Sequence, residues 1–328
     1  MKVQKIRLPT TDEETWILIG DDFLPVKPVN SYLRHLEALE RSPNTISSYA
    51  HHLKLFWKFT AFKHLNWKDI GEPELADFIL WLRSPDPRVV SIEPQEAKRT
   101  ERTINTILSA VFNFYQFHQR QRTTKDFELY QQTKILNPKY KPLLYEMVKN
   151  KTTQVKLLKL KEPKVFPGTL TSEEVQTLVD NCNNLRNKFL VKLLFETGIR
   201  IGEAIGLRHS DIDSVGGKNE IAVVFRDDNV NNAKGKSKSQ RILTASGDLM
   251  RLYGRYIVEE YPDVDSDYVF VNIWKGEIGS PMKYSTARGL FKSLKKKTGI
   301  DVYAHLLRHT HATDLIRSGM DMAHVQKR

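Results

Sequence analysis

The stretch YAHLLRHTHATDLIRSG, residues 303–319, decides how the rest of the sequence is interpreted. It places three histidines and an arginine within seven residues: His305, Arg308, His309 and His311. If the stretch is a helix, His305 shares one face with Arg308 and His309, because residues three or four positions apart are neighbours on a helix. Such a face could hold a metal ion, hold a phosphate, or only pack against the core.

A metal ion is the weakest of these three interpretations. The helical zinc motif needs a glutamate directly after the first histidine, and this sequence has Leu306 there and no evident third ligand. A phosphate suits the pair better, because Arg308 offers a planar fork of donors and His305 can donate a hydrogen bond or move a proton near neutral pH. Spacing alone leaves phosphate binding and plain packing as equal alternatives.

A second informative stretch is TGIRIGEAIGL, residues 197–207. Gly198 breaks an apolar helix just before Arg200, and an arginine in such surroundings is costly to bury without an anion. Glu203 could orient the Arg200 guanidinium, or the two could form a purely structural pair. Between the two stretches, AKGKSKSQR (233–241) predicts a lysine-rich hairpin tip. One of its lysines could protonate a leaving oxygen, although most lysines at such tips are only solvated.

Composition narrows the class of protein. The formal charge of +12 and the pI of about 9.5 favour polyanionic partners. The charge is spread through apolar, periodic segments, which favours a folded nucleic-acid binder, and charge alone leaves a basic soluble enzyme as an equal alternative. Cys182 is the only cysteine, so we expect neither an internal disulfide nor a cysteine-based zinc site. The sequence shows neither a signal peptide nor an apolar run of about 20 residues, which predicts a cytoplasmic protein without a membrane span.

Local patterns predict a small all-α domain in the first half of the chain. One helical pattern carries Val29 and Leu39 on the same face, and the next begins with Ser42 as a cap and Pro43 at the first helical position. Two further helical patterns follow. Ahead of all four, WILIG at residues 16–20 predicts an extended segment.

The second half predicts helices around a few strands. Thr171 and Glu174 have the spacing of a capping box, so a helix should begin there. Helices are also predicted over the apolar run that is broken at Gly198, over STARGLFKSLKKKTG (285–299) and over the opening stretch. Three segments with β-branched or aromatic residues predict neighbouring strands: NEIAVVFRD (219–227), SQRILTA (239–245) and DYVFVN (267–272).

TGIRIGEAIGL, a hairpin lysine and HLLRHTHAT occur in the order that is typical of one family. The sequence resembles the tyrosine recombinases, also called phage integrases, and within them the transposase branch of mobile elements. SPNTISSYAHHLKLFWKF, residues 42–59, is similar to the core-binding domain of that family. The resemblance implies a mainly α fold, with a four-helix, SAM-like core-binding domain and an α-helical catalytic domain that contains a small antiparallel β-sheet. The expected divisions are an N-terminal arm at 1–24, the core-binding domain at 25–122, a basic linker at 123–164 and the catalytic domain at 165–328. The linker is either solvated or lies along a phosphate backbone.

The resemblance also implies roles for individual residues. Arg200, His305 and Arg308 match catalytic residues of the family, and Glu203 matches an acid that supports the first arginine. Lys236 is the expected catalytic lysine.

Hairpins of the family tend to keep that lysine five residues before an arginine, and Lys236 and Arg241 have this spacing; Lys234 is the alternative. Lys234, Lys238 and Arg241 are expected to contact DNA.

The implied chemistry breaks and rejoins DNA. A tyrosine hydroxyl attacks a phosphodiester, which gives a 3′-phosphotyrosine and a free 5′-hydroxyl. Arg200 and Arg308 stabilise the charge of the transition state, His305 assists proton transfer and Lys236 protonates the leaving oxygen. No cofactor is expected, neither ATP nor a metal ion. The expected partners are duplex DNA, further copies of the chain in a tetramer and other transposon-encoded proteins, at a bacterial nucleoid.

One feature of the sequence departs from the family pattern. Tyrosine recombinases continue past the position of VQKR (325–328) with a leucine–glycine–histidine box and the nucleophilic tyrosine, whereas the last tyrosine here is Tyr303, ahead of His305. We therefore expect a truncated chain that binds DNA but does not cleave it alone. The alternatives are a non-catalytic DNA-binding remnant or regulator of a mobile element, and a metal-dependent nuclease that uses the histidines.

Overall fold

The structure, a computed structural model, divides into two compact units, Met1–Lys164 and Val165–Arg328, which are described separately. It describes residues 1–7, 14–84, 97–125, 127–128, 130–134, 152–163, 168–214, 218–226, 228–231, 233 and 240–327.

The first unit contains four helices and two pairs of antiparallel strands among its described residues. In chain order the elements are β1 (Lys2–Arg7), β2 (Glu14–Ile19), α1 (Lys27–Ala38), α2 (Pro43–Phe62), α3 (Glu72–Arg83), α4 (Glu101–Arg120), β3 (Tyr130–Lys134) and β4 (Thr152–Lys156). Strand β1 pairs with β2, and β3 pairs with β4.

Local signals place most of these elements correctly. The Ser42 hydroxyl accepts a hydrogen bond from the Thr45 amide at 3.2 Å and Pro43 is the first residue of α2, which confirms the predicted start. The extended segment predicted at WILIG is confirmed as β2. Leu39 was predicted on the buried face of α1, but it is 51% exposed. Helix α1 ends at Ala38 and Glu40 adopts a left-handed φ of 52°, so Leu39 no longer belongs to the helical face.

The core of the first unit is rich in aromatic rings. Phe56 lies edge-on against Phe78 and Tyr115, with ring centroids 5.3 and 5.8 Å apart. Leu18 of β2 is fully buried in the same core, and the Asn30 side chain fixes its backbone through hydrogen bonds of 2.8 and 3.1 Å. Strand β2, which lies within the predicted arm (1–24), therefore packs onto the helices.

The end of the predicted linker is also attached to this unit. The Asn105 amide of α4 donates to the Leu160 carbonyl and accepts from the Leu160 amide, each at 2.9 Å, and it donates to Glu162 at 2.8 Å. Leu158 and Leu160 pack against the core. Where the arm and the linker begin and end as functional divisions stays a prediction.

The second unit surrounds a three-stranded antiparallel sheet with helices. Its elements are α5 (Ser172–Asp180), α6 (Leu185–Thr197), the short α7 (Ile201–Ala204), a 3₁₀ turn (His209–Asp211), β5 (Ile212–Asp213), β6 (Glu220–Val223), β7 (Arg241–Thr244), α8 (Gly247–Glu259), α9 (Tyr284–Thr298), α10 (Ala304–Arg317) and α11 (Met322–Lys327). The strand order is β5-β6-β7.

Two predictions for this unit have different outcomes. The capping box of α5 is confirmed, since the Thr171 hydroxyl accepts from the Glu174 amide and the Glu174 carboxylate accepts from the Thr171 amide. The third strand was predicted at residues 267–272 and is instead Ile212–Asp213. Residues 269–271 are all fully buried, so this apolar run fills the core and makes only isolated bridges on its two sides.

None of the helices in the described residues is both long enough and apolar enough to cross a membrane.

We expect Asn105→Ala to lower the free energy of unfolding of the first unit by about 1–3 kcal/mol, because it leaves backbone groups of Leu160 without partners. Urea unfolding followed by tryptophan fluorescence reports mainly on this unit, which holds four of the five tryptophans: Trp16, Trp57, Trp67 and Trp81. Asn44→Ala, at an exposed position of α2, is the control. Equal stabilities for the two variants would contradict the anchoring role of Asn105.

Candidate active site

Glu203 is the buried centre of the candidate site. Its side chain is only 3% exposed and lies in α7, one turn after Arg200. The carboxylate accepts the Arg200 backbone amide at 3.1 Å and the Arg200 guanidinium Nη1 at 3.1 Å. The Arg200 side chain remains 38% exposed, so Glu203 holds one edge of the guanidinium while part of the group faces solvent.

Arg241 approaches the same carboxylate from the sheet. It is the first residue of β7, and its Nη2 and Nη1 lie 2.6 and 3.4 Å from the two Glu203 oxygens. Burial acts to raise the pKa of the Glu203 carboxyl, but the hydrogen bonds from Arg241 and Arg200 outweigh burial and hold that pKa below its ordinary value. Glu203 is therefore a carboxylate, and it neutralises part of the charge around it.

Gly198 brings Arg308 to this cluster. It ends α6 with a left-handed φ of 62°, and its carbonyl oxygen, two residues before Arg200, accepts a hydrogen bond from Arg308 Nη1. The pKa of Arg308 is lowered, first by burial and then by the positive charge of Arg200. The two arginines that the sequence separates by more than 100 positions thus lie side by side in the fold.

Helix α10 carries both Arg308 and His305. Thr310 fixes the helix from its buried side, where its hydroxyl accepts the Leu170 amide at 3.0 Å and donates to the Leu306 carbonyl at 3.0 Å. His305 is on the exposed side of the same turn as Arg308, and its ring meets His309 edge-on with centroids 4.3 Å apart.

The predicted lysines Lys234, Lys236 and Lys238 lie outside the described residues. The segment directly before them is anchored by Asn231, a buried residue that sequence reasoning missed. Its amide donates to the carbonyls of Ile205 and Met282, each at 2.9 Å, and accepts the Ala233 amide at 3.0 Å.

Two further contacts were not foreseen. The sequence indicated Arg241 as a DNA contact, and the structure places its guanidinium on Glu203. Gly198 was recognised as a helix breaker but not as the acceptor for Arg308. In the sequence, only the spacing between Lys236 and Arg241 pointed to Arg241, and no pattern predicted the contact between Arg308 and the Gly198 carbonyl.

Across the part of the chain that the structure describes, no group of three or more histidine, cysteine, aspartate or glutamate side chains is arranged to hold a metal ion. The cluster is instead built from guanidinium groups around one carboxylate, a donor set that suits a phosphate.

Comparison with known proteins shows the family of the chain. The model of the phage integrase family matches residues 168–328, and that of the phage integrase N-terminal SAM-like domain matches residues 29–122. Transposase A from transposon Tn554 of Staphylococcus aureus is 38% identical over 330 aligned residues, covering 100% of this chain and 90% of that protein. The chain belongs to the phage integrase family. It is a tyrosine-type site-specific recombinase of the transposase kind. The tyrosine recombinase XerC of Staphylococcus epidermidis is 26% identical, over 87% of this chain and 81% of that protein.

Solved structures show the same fold at low sequence identity. The Tn1549 transposon integrase in complex with a circular intermediate DNA aligns with a TM-score of 0.60 at 16% identity, over 92% of this chain and 89% of that chain. The XerH site-specific recombinase bound to a palindromic difH substrate aligns with a TM-score of 0.58 at 19% identity, over 91% of this chain and 75% of that chain. These matches confirm the predicted fold class of a phage integrase.

Gly198→Ala should destabilise the second unit more than Gly299→Ala. Both glycines end helices with left-handed φ, at 62° and 74°, so each alanine should cost about 1–2 kcal/mol from the backbone alone. At Gly198 the added methyl group would also overlap the His311 ring, whereas it would meet nothing within 4 Å at Gly299. Thermal unfolding of the two variants measures the difference. Equal losses would show that the close approach of α10 to Gly198 is not required.

Proposed function

We propose that the chain supplies the phosphate site of a recombinase that breaks and rejoins duplex DNA at specific sites through a 3′-phosphotyrosyl intermediate, and so integrates or excises a mobile element. The observation that carries the proposal is the Arg308 contact with the Gly198 carbonyl, which brings Arg308 close to Arg200, whose guanidinium the buried Glu203 carboxylate holds. Two guanidinium groups at one point form a site for the non-bridging oxygens of a phosphodiester.

In this proposal each residue has a defined chemical task. Arg200 and Arg308 donate to the two non-bridging oxygens, where negative charge increases as the phosphorus becomes five-coordinate. His305 lies on the exposed side of α10, one turn before Arg308, where it can hold or move a proton of the attacking hydroxyl. Lys236 protonates the leaving 5′-oxygen, with Lys234 as the alternative. Glu203 keeps Arg200 oriented.

The proposed partner is duplex DNA, engaged by several copies of the chain. The net charge of +12 supports this partner, as do the similar structures that contain DNA. Strand exchange joins two duplexes and normally uses four protomers, so we propose a tetramer on the recombination site, with other transposon-encoded proteins as further partners. The nucleoid is the corresponding location.

Binding to duplex DNA should weaken steeply with salt, because each phosphate contact releases counterions. For about six contacts the affinity should fall by roughly 10³-fold between about 50 and 200 mM salt. Fluorescence anisotropy with a duplex copied from the ends of the element that carries the gene measures this fall, and a duplex of random sequence tests specificity. A nearly constant affinity would contradict the proposal that the basic surface binds DNA.

The joining half of the reaction tests the site without a protein nucleophile, and the sequence has no tyrosine after Tyr303. In a duplex with a 3′-p-nitrophenyl phosphate at the cleavage position, a 5′-hydroxyl strand attacks the phosphorus and nitrophenolate leaves in place of the tyrosine. We expect the chain to accelerate this release. Arg200→Ala and Arg308→Ala should each slow it by about 10²–10³-fold with DNA affinity largely kept.

Arg255→Gln is the matched control, because Arg255 also pairs with a glutamate in this unit but lies exposed on α8. No release above the rate without protein would contradict the proposed reaction. Loss of DNA binding in both alanine variants would instead assign the two arginines a structural role.

A further inference from the structure

Glu203 holds the Arg241 guanidinium through its two terminal nitrogens, while the Arg241 Nε is buried without a hydrogen-bond partner among the described residues. The side chain is 12% exposed, and both terminal nitrogens contact the carboxylate, at 2.6 Å to Oε2 and 3.4 Å to Oε1. Arg200 shares that carboxylate through one terminal nitrogen and is 38% exposed. The two arginines therefore divide one acceptor unequally, and only Arg200 keeps part of its guanidinium available to a ligand.

We infer that Arg241 is a positioning residue of the recombinase, which holds the Glu203 carboxylate so that Arg200 faces the scissile phosphate, and that it does not bind DNA itself. The inference rests on the proposed function, since it concerns the same phosphate site. Arg241, a basic residue next to the lysine-rich tip, would then contribute to catalysis by positioning Glu203 and, through it, Arg200.

The geometry explains why the carboxylate needs a second arginine. Glu203 is 3% exposed, so water cannot satisfy its oxygens, and they accept from the Arg200 amide, the Arg200 guanidinium and Arg241. If Arg241 were removed, the buried carboxylate would draw the whole Arg200 fork towards itself. Arg200 would then pair with both oxygens and lose the exposed edge with which it meets phosphate.

The position of Arg241 in the sheet also matters. It opens β7, where it pairs with Val223 of β6, and it follows Lys236 by five residues in the sequence. Its contact with Glu203 ties the start of this strand to the turn that carries Arg200. The same ion pair therefore links two segments from which the proposal draws catalytic groups.

The experiment uses the full chain and the 3′-p-nitrophenyl phosphate duplex, with Arg241→Gln, Arg241→Lys and the exposed control Arg255→Gln. For a positioning residue, Arg241→Gln should lower the maximal rate of nitrophenolate release by about 100-fold while DNA affinity and its salt dependence stay as in the unmodified chain. Arg241→Lys should recover part of the rate, because an ammonium group can still pair with Glu203. Arg255→Gln should match the unmodified chain.

A second substrate separates positioning from a general loss of structure. The second substrate is a duplex in which a methylphosphonate replaces the phosphate at the reacting position, so a neutral methyl group takes the place of one charged non-bridging oxygen. The arginine that serves that oxygen is then no longer needed. The stereoisomer that restores activity to Arg200→Ala should also restore it to Arg241→Gln, if Arg241 acts through Arg200. A variant that is slow because its fold is damaged would stay slow with both stereoisomers.

Three outcomes would overturn the inference. Weaker DNA binding with a shallower salt dependence in Arg241→Gln would make Arg241 a DNA contact. A rate equal to that of Arg255→Gln would show that Glu203 does not need it. A loss that neither methylphosphonate isomer restores would make its role purely structural. If Arg241→Gln does not fold, Arg241→Lys decides by the same three measurements. An inactive unmodified chain would instead overturn the proposed function, and the inference with it.

Discussion

The buried carboxylate of Glu203 is the constraint on which the catalytic unit depends. Taking a charged group out of water costs several kcal/mol unless well-placed partners compensate it. Here the compensation comes from the Arg200 amide and guanidinium and from the guanidinium of Arg241. The first turn of α7 and the start of β7 must therefore meet at one point. The depressed pKa of Glu203 follows from the same contacts, because they favour the charged form more than burial disfavours it.

Gly198 extends this constraint to the C-terminal helices. A left-handed residue at the end of α6 turns the chain towards Arg200 and leaves the Gly198 carbonyl for Arg308. The absence of a side chain also lets the His311 ring of α10 lie directly over the turn. The backbone angle and the packing of α10 thus both require glycine at position 198, and the Gly198 carbonyl brings Arg308 close to Arg200.

How much of this could be predicted from the sequence depends on the range of each interaction. Helix starts at Ser42 and Thr171 were predictable because a cap and its partner are three residues apart. The ion pair between Glu203 and Arg241 joins residues 38 positions apart, and its formation depends on which way β7 faces, which a basic tip does not reveal. The third strand was misplaced for a related reason: a short apolar run predicts burial equally well in a strand or in an irregular core segment.

The charge balance of the site has a consequence for catalysis. Arg200 and Arg241 pair with the Glu203 carboxylate, and Arg308 lies close enough to interact with their charges, so these four side chains carry an excess of two positive charges. A phosphodiester carries one negative charge, whereas its five-coordinate transition state carries two. In the proposed reaction the excess therefore matches the transition state better than the substrate. Burial, and after it the positive charge of Arg200, lowers the pKa of Arg308. Binding that improves as charge develops is the form of stabilisation that lowers a barrier, and the buried Glu203 limits the excess positive charge.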